Sequence, residues 1–208
     1  MAMLASTALA AAPASKTATP EAAALIARLA RPQPATIAFT EVRFSPLLKT
    51  PLIVSGELGY SGPQSLDRSV LSPYREHTAI RGESVRVERE GASPRSFALK
   101  RAPELQGLLN GFTALLAGDA AAIERRFDAA ASEHEEHWRL ALTPRDARAR
   151  RRLQEIVIDG VADTPRCFTI VSADGGASVM LLGEFAATHL PADVSREALR
   201  EQCEKSDW

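Results

Sequence analysis

Apolar and polar positions change their period twice along the chain. From Glu21 the apolar residues Ala22, Leu25, Ile26 and Leu29 recur every three or four positions, one face of a helix that Thr19 can cap and Pro20 can open. Pro32 and Pro34 end it. Beyond them the period falls to two. Residues 37–44 carry large apolar groups on both faces, Ile37 and Phe39 against Val42 and Phe44, which predicts either a bulge or a strand buried from two sides. Leu52, Val54, Leu58 and Tyr60 share one face of the next strand, with Ser55 and Glu57 on the other. Residues 76–80 and 85–89 read as a hairpin around Arg81-Gly82-Glu83, and Phe97 with Leu99 marks one more strand.

At Pro103 the period lengthens again. Leu105, Leu108, Leu109, Phe112, Leu115 and Leu116 form a wide helical stripe over residues 104–117, which needs a broad apolar surface to lie on. Gly118 is placed to stop this helix and Asp119 to cap a second one, with the stripe Ile123, Phe127 and Ala130. Strands then resume. Trp138, Leu140 and Leu142 alternate with His137, Arg139 and Ala141, which puts Trp138 either in a core or on a cavity wall. Ile156 and Ile158 follow, and residues 167–171 and 179–185 flank the turn Asp174-Gly175-Gly176. A short helix from Ser195 to about Cys203 closes the chain. Nine or ten sequentially adjacent strands, interrupted once by two apolar helices, predict an α+β fold. The spacing argues for a single antiparallel sheet, strongly curved or barrel-like, with helices covering its concave side.

Composition narrows the function. The chain has 208 residues, 45% hydrophobic and 25% charged, as expected of one globular domain over residues 19–208. A net charge of −1 predicts no general attraction to nucleic acid. Residues 1–18 stand apart: the first 14 are alanine-rich and apolar, either a signal peptide clipped of its basic start or a low-complexity tail. No other apolar run approaches the ~20 residues that span a bilayer. Cys167 and Cys203 fit a disulfide in an oxidising compartment and fit two buried thiols equally well. Of the 25 basic residues only Lys16, Lys49, Lys100 and Lys205 are lysines. Arg145, Arg148, Arg150, Arg151 and Arg152 cluster in what reads as an exposed connection. Any role for the cluster would be transient docking on a membrane surface or an acidic partner.

Catalytic patterns are missing. There is no Gly-x-Ser-x-Gly elbow, and Lys49-Thr50 lacks the upstream glycines of a phosphate loop. Only two residues separate His134 from His137, not the spacing of the helical His-Glu-x-x-His pair, and a solvated helix-to-strand connection accounts for them. The chain therefore reads as a binding protein rather than an enzyme, without cofactor or metal.

The order of short motifs resembles the outer-membrane lipoprotein carrier (LolA-like) family. Phe39-Thr40-Glu41, Ser55-Gly56-Glu57-Leu58, Pro63, Leu66-Asp67-Arg68, Pro73 and Gly82 follow one another as the family's strands and turns do. The helices at 103–131 stand where that family has its lid, and Trp138-Arg139-Leu140 matches a later strand. Glu41 replaces the usual glutamine, and Gly62 stands where a basic residue often precedes the turn proline. The connection Ser45 to Pro51 is longer than a plain turn, as in a divergent member. The resemblance implies an incomplete β-barrel with lid helices over its concave face and a hydrophobic cavity for acyl chains, lined by Phe39, Val54, Leu58, Tyr60, Leu105, Leu109, Phe112, Leu116, Trp138 and Leu140. It implies a periplasmic carrier that binds lipid or lipoprotein acyl chains between an inner-membrane donor and an outer-membrane acceptor. The same fold also serves periplasmic regulatory or assembly proteins that bind a protein partner, which is the alternative reading.

Overall fold

A computed structural model describes residues 19–204, without the side chains of residues 103–105, 107, 108 and 110; the alanine-rich segment 1–18 lies outside it. Thr19 opens helix α1 (Pro20–Arg28), its Oγ1 accepting from the Ala22 amide, while Ala22, Leu25 and Ile26 turn inward. Six strands follow: β1 (Ala35–Phe44), β2 (Leu52–Gly62), β3 (Ser65–Ser72), β4 (Glu76–Arg81), β5 (Ser84–Arg89) and β6 (Arg95–Ala98). The chain then enters α2 (Pro103–Ala117), which Gly118 ends in the left-handed conformation at φ 64°. Asp119 caps α3 (Ala120–Glu124), its carboxylate accepting from the Ala122 amide at 2.9 Å. Strands β7 (Phe127–His134) and β8 (His137–Pro144) lead to the short helix α4 (Ala147–Arg150). Strands β9 (Leu153–Val161), β10 (Thr164–Ser172) and β11 (Ala177–Leu182) and helix α5 (Arg196–Glu204) complete the described chain.

The strands form one antiparallel sheet of 11 strands in the order β6-β5-β4-β3-β2-β1-β11-β10-β9-β8-β7. β1 bonds to both β2 and β11, so the first and last strands meet in the middle. The free edges are β6 and β7. The chain leaves the sheet at one edge and returns at the other, and α2 with α3 makes the crossing. The result is a barrel left open where the helices lie, as the sequence predicts.

The inward face of the sheet shares one apolar cluster with α1, α2 and α3, from Leu25 and Ile26 through Phe39, Leu58, Leu115 and Ile158. A smaller cluster covers the outer face, where Val42, Val179 and Leu181 meet Val194, Leu199 and Cys203. This settles the two apolar faces of β1: its pairing runs without a register shift, so it is buried from two sides and not bulged. Cys167 and Cys203 form a disulfide, Cα atoms 5.8 Å apart, that ties α5 to β10. Beside it Arg139 pairs with Asp159 at 2.9 Å and with Glu204 at 2.7 Å. Burial pushes the Asp159 carboxyl up while Arg139 pulls it down, with a net rise.

The region after Glu124 departs from expectation. Ile123, Phe127 and Ala130 do not share a helix: α3 stops at Glu124, and Phe127 begins β7. Alanine favours helix locally. Here Ala129 and Ala131 instead pair with Leu142 and Leu140 of β8, and α1 packs on this alanine-rich strand. The acidic run at 133–137 is accordingly a turn between two strands, not a helix-to-strand connection. His134 and His137 face each other across it, and His137 Nε2 lies 3.1 Å from the Cys203 carbonyl oxygen. Two strands end early: β6 stops at Ala98 and β11 at Leu182, each running into a 3-10 turn.

Candidate functional site

The period of two places Phe39 of β1, Val54, Leu58 and Tyr60 of β2, and Trp138 and Leu140 of β8 on the inward face, all buried. α2 lays Leu109, Phe112 and Leu116 against them. Every position singled out from the sequence except Leu105 therefore belongs to one continuous cluster; the Leu105 side chain is outside those described. Residues that no motif marked join it, among them Ile80, Phe168 and Met180. Only their alternation along short strands signals them. The Phe168 ring meets Phe112 edge to face, with centroids 6.0 Å apart.

Among the described side chains, Tyr60 links α2 to the sheet. The Tyr60 hydroxyl donates to the Thr113 carbonyl oxygen at 3.5 Å and accepts from Gln33 Nε2 at 3.2 Å. Burial raises the Tyr60 pKa, so the hydroxyl keeps its proton and its donor role. Gly111 faces Ile156, where a Cβ would sit 3.3 Å from the Ile156 Cδ1. The Trp138 indole N–H donates to the Ala162 carbonyl at 2.7 Å. Trp138 is 1% exposed and packs within the inner cluster.

Three motifs that are separate in sequence converge on this wall. The Arg68 guanidinium stands 5.0 Å over the Phe39 ring and forms an ion pair with Glu41. Arg43 Nε donates to the other Glu41 oxygen at 2.8 Å, and the Ser178 hydroxyl donates to it as well. Burial pushes the Glu41 carboxyl up, but the charges of Arg43 and Arg68 with the bonds from Arg43 and Ser178 hold it at about 2. Glu41 is thus a fixed negative charge near neutral pH, unsuited to general acid–base work. Gly56 pairs with Phe39, and a Cβ there would meet the Ser69 carbonyl oxygen at 1.8 Å. The motif glycine answers to this close backbone approach, at a bulge in the β2–β3 pairing.

Two cavities flank α2. One of about 400 Å³ lies between α2, α3 and the turns at Pro63 and Gly82, and it reaches Leu109. The other, about 890 Å³, lies between Gln106 of α2, the α3–β7 junction and the β8–β9 connection that carries the arginine cluster. Among the described residues, no group of three or more His, Cys, Asp or Glu side chains is arranged to hold a metal ion. No described helix is long and apolar enough to cross a membrane.

Solved structures with a related outline include a LolA-superfamily protein of Nitrosomonas europaea. It is 12% identical with a TM-score of 0.45, over 84% of this chain and 95% of that one. LprF of Mycobacterium bovis is also 12% identical, with a TM-score of 0.36, over 86% of this chain and 100% of that one. Among curated proteins none matches the sequence significantly. The family model described as "outer membrane lipoprotein carrier protein LolA-like" matches residues 10–206, and the chain belongs to that family.

Proposed function

We propose that this protein is a periplasmic carrier that takes the acyl chains of a lipoprotein or another lipid into the barrel interior beneath α2 and delivers them towards the outer membrane. One observation carries the reading: the inward face of an open barrel and the apolar stripe of α2 form a single continuous greasy surface. Acyl chains favour such a surface by about 0.8 kcal/mol per buried methylene, so affinity needs no polar chemistry. Chain and helix compete for the same wall, which makes α2 the segment that must yield when cargo enters. The Cys167–Cys203 disulfide is in keeping with an oxidising compartment. An inner-membrane donor and an outer-membrane acceptor complete the route.

The test is native mass spectrometry of protein purified without detergent. Co-purifying lipid in stoichiometric amount is the expected result. A lipid-free mass together with a stoichiometric protein partner would favour a regulatory or assembly role for the same sheet.

A further inference from the structure

The larger cavity beside α2 has an unusual wall. Arg125, Arg126, Arg145, Arg148, Arg151 and Arg152 all line it, with Asp146 as the carboxylate among them. Backbone contacts draw these residues together from two parts of the chain. The Arg145 amide donates to the Arg126 carbonyl at 2.9 Å, which stitches the β8–β9 connection to the α3–β7 junction. Asp146 is spent on its own helix, one carboxylate oxygen accepting from the Arg148 and Ala149 amides, each at 2.9 Å. Arg145 pairs with Asp128 at 2.9 Å. Among the described residues, Arg125, Arg148, Arg151 and Arg152 make no close ion-pair contact, while the Ala149 amide and the charges of Arg148 and Arg151 help hold the Asp146 carboxyl below the usual range.

The floor of the same cavity is apolar. Phe127 and Leu153 line it, and both belong to the inner cluster. The smaller cavity shares Gln106, Arg125 and Arg126 with it and continues to Leu109. Arginine wall and acyl-binding surface are therefore contiguous, with the charge on the rim and the grease behind it. Guanidinium forks match phosphate oxygens in pairs, and several of them on one concave wall suit a phosphate group better than a lone carboxylate.

We propose that this pocket binds the phosphate headgroup of the carried lipid, so that the cargo is a phosphate-bearing anionic lipid whose chains pass beneath α2. The inference rests on the carrier reading, and the test separates the two. Titrate the full chain with dioctanoyl phosphatidic acid, with dioctanoylglycerol, which has the same chains and no phosphate, and with glycerol 3-phosphate alone, each also against the triple variant Arg125→Gln, Arg148→Gln, Arg151→Gln. These three arginines are exposed, and thermal melting checks that the variant is folded. The wild type should prefer the phosphatidic acid by about tenfold or more, the size of a single charge-assisted hydrogen bond. In the variant that preference should fall to near parity.

Equal binding of both lipids by the wild type would overturn the headgroup site and leave the acyl carrier standing. A preference that survives in the variant would overturn it too. Glycerol 3-phosphate binding that the variant loses, with neither lipid bound, would keep the phosphate pocket and remove the carrier. Binding of nothing in solution, with attachment only to phosphatidylglycerol vesicles, would make the arginines a membrane-docking surface and overturn the pocket.

Discussion

Trp138 on β8 and Gly160 on β9 are direct cross-strand partners, and the indole fills the space a side chain at 160 would need. A Cβ there would lie 2.2 Å from the Trp138 Cζ2 and 2.5 Å from the Thr164 carbonyl oxygen. The ring is held by its bond to Ala162 and the other obstacle is backbone, so neither retreats cheaply. Gly160→Ala should cost about 3 kcal/mol, at the upper end of ordinary overpacking, as read from urea unfolding. A loss under about 0.5 kcal/mol would mean that the indole moves freely and is no fixed part of the wall.

Glu41→Gln keeps the shape of the side chain but removes its charge. Arg68 would stay buried with Glu76 as its remaining carboxylate, 3.8 Å away. A loss of about 3 kcal/mol is expected, the penalty of an uncompensated buried charge.

The same pair sets an acid limit. With the Glu41 pKa held at about 2 against an ordinary 4.5, its stabilising contribution is complete above pH 4.5 and fades as the pH falls towards 2. Wild type should therefore lose stability across that window more steeply than Glu41→Gln. Parallel acid-unfolding curves for the two proteins would contradict the assignment.

The disulfide closes a loop between residues 36 apart in sequence, worth about 4 kcal/mol by loop-closure entropy. Reductant should lower the melting temperature of the wild type and leave that of Cys203→Ser unchanged. Equal sensitivity of the two proteins would show that the bond does not carry the attachment of α5.

Much of this fold was legible because its signals are local. Thr19 and Pro20 mark the start of α1, Gly118 and Asp119 mark the break between α2 and α3, and the alternation at Trp138-Arg139-Leu140 gives the strand face directly. β7 was hidden for the opposite reason. Its residues are helix formers, and only pairing with β8 and packing under α1 make them a strand. The inner-face positions followed from period, and so did Arg43, two residues along β1 from Glu41. Arg68 and Ser178 lie on β3 and β11, and only the order of strands in the sheet brings them to Glu41. The arginine cluster was visible as a run, but its counterparts Arg125 and Arg126 come from another part of the chain, so the pocket was not.

The lid role of α2 can be tested by locking it. Gly111 and Ile156 meet across the helix–sheet contact, a Cβ at 111 lying 3.3 Å from the Ile156 Cδ1, so Gly111→Cys with Ile156→Cys can be joined by a short thiol-reactive crosslinker that bonds α2 to β9. Lipid uptake should fall by about tenfold or more relative to each single variant, a barrier increase of roughly one decade. Undiminished uptake, with the new bond confirmed by mass, would leave α2 as ordinary core.

The most direct measurement locates the acyl chain itself. A lipid with a photoreactive group at the end of its acyl chain is bound, irradiated, and its attachment mapped by peptide mass spectrometry. A carrier interior should place the label on inward-facing residues of β1, β2 and β8 around Phe39, Leu58 and Trp138, and on α2. Label confined to the outer face around Val194 and Leu199, or no label above an unrelated soluble protein, would contradict acyl binding inside the barrel.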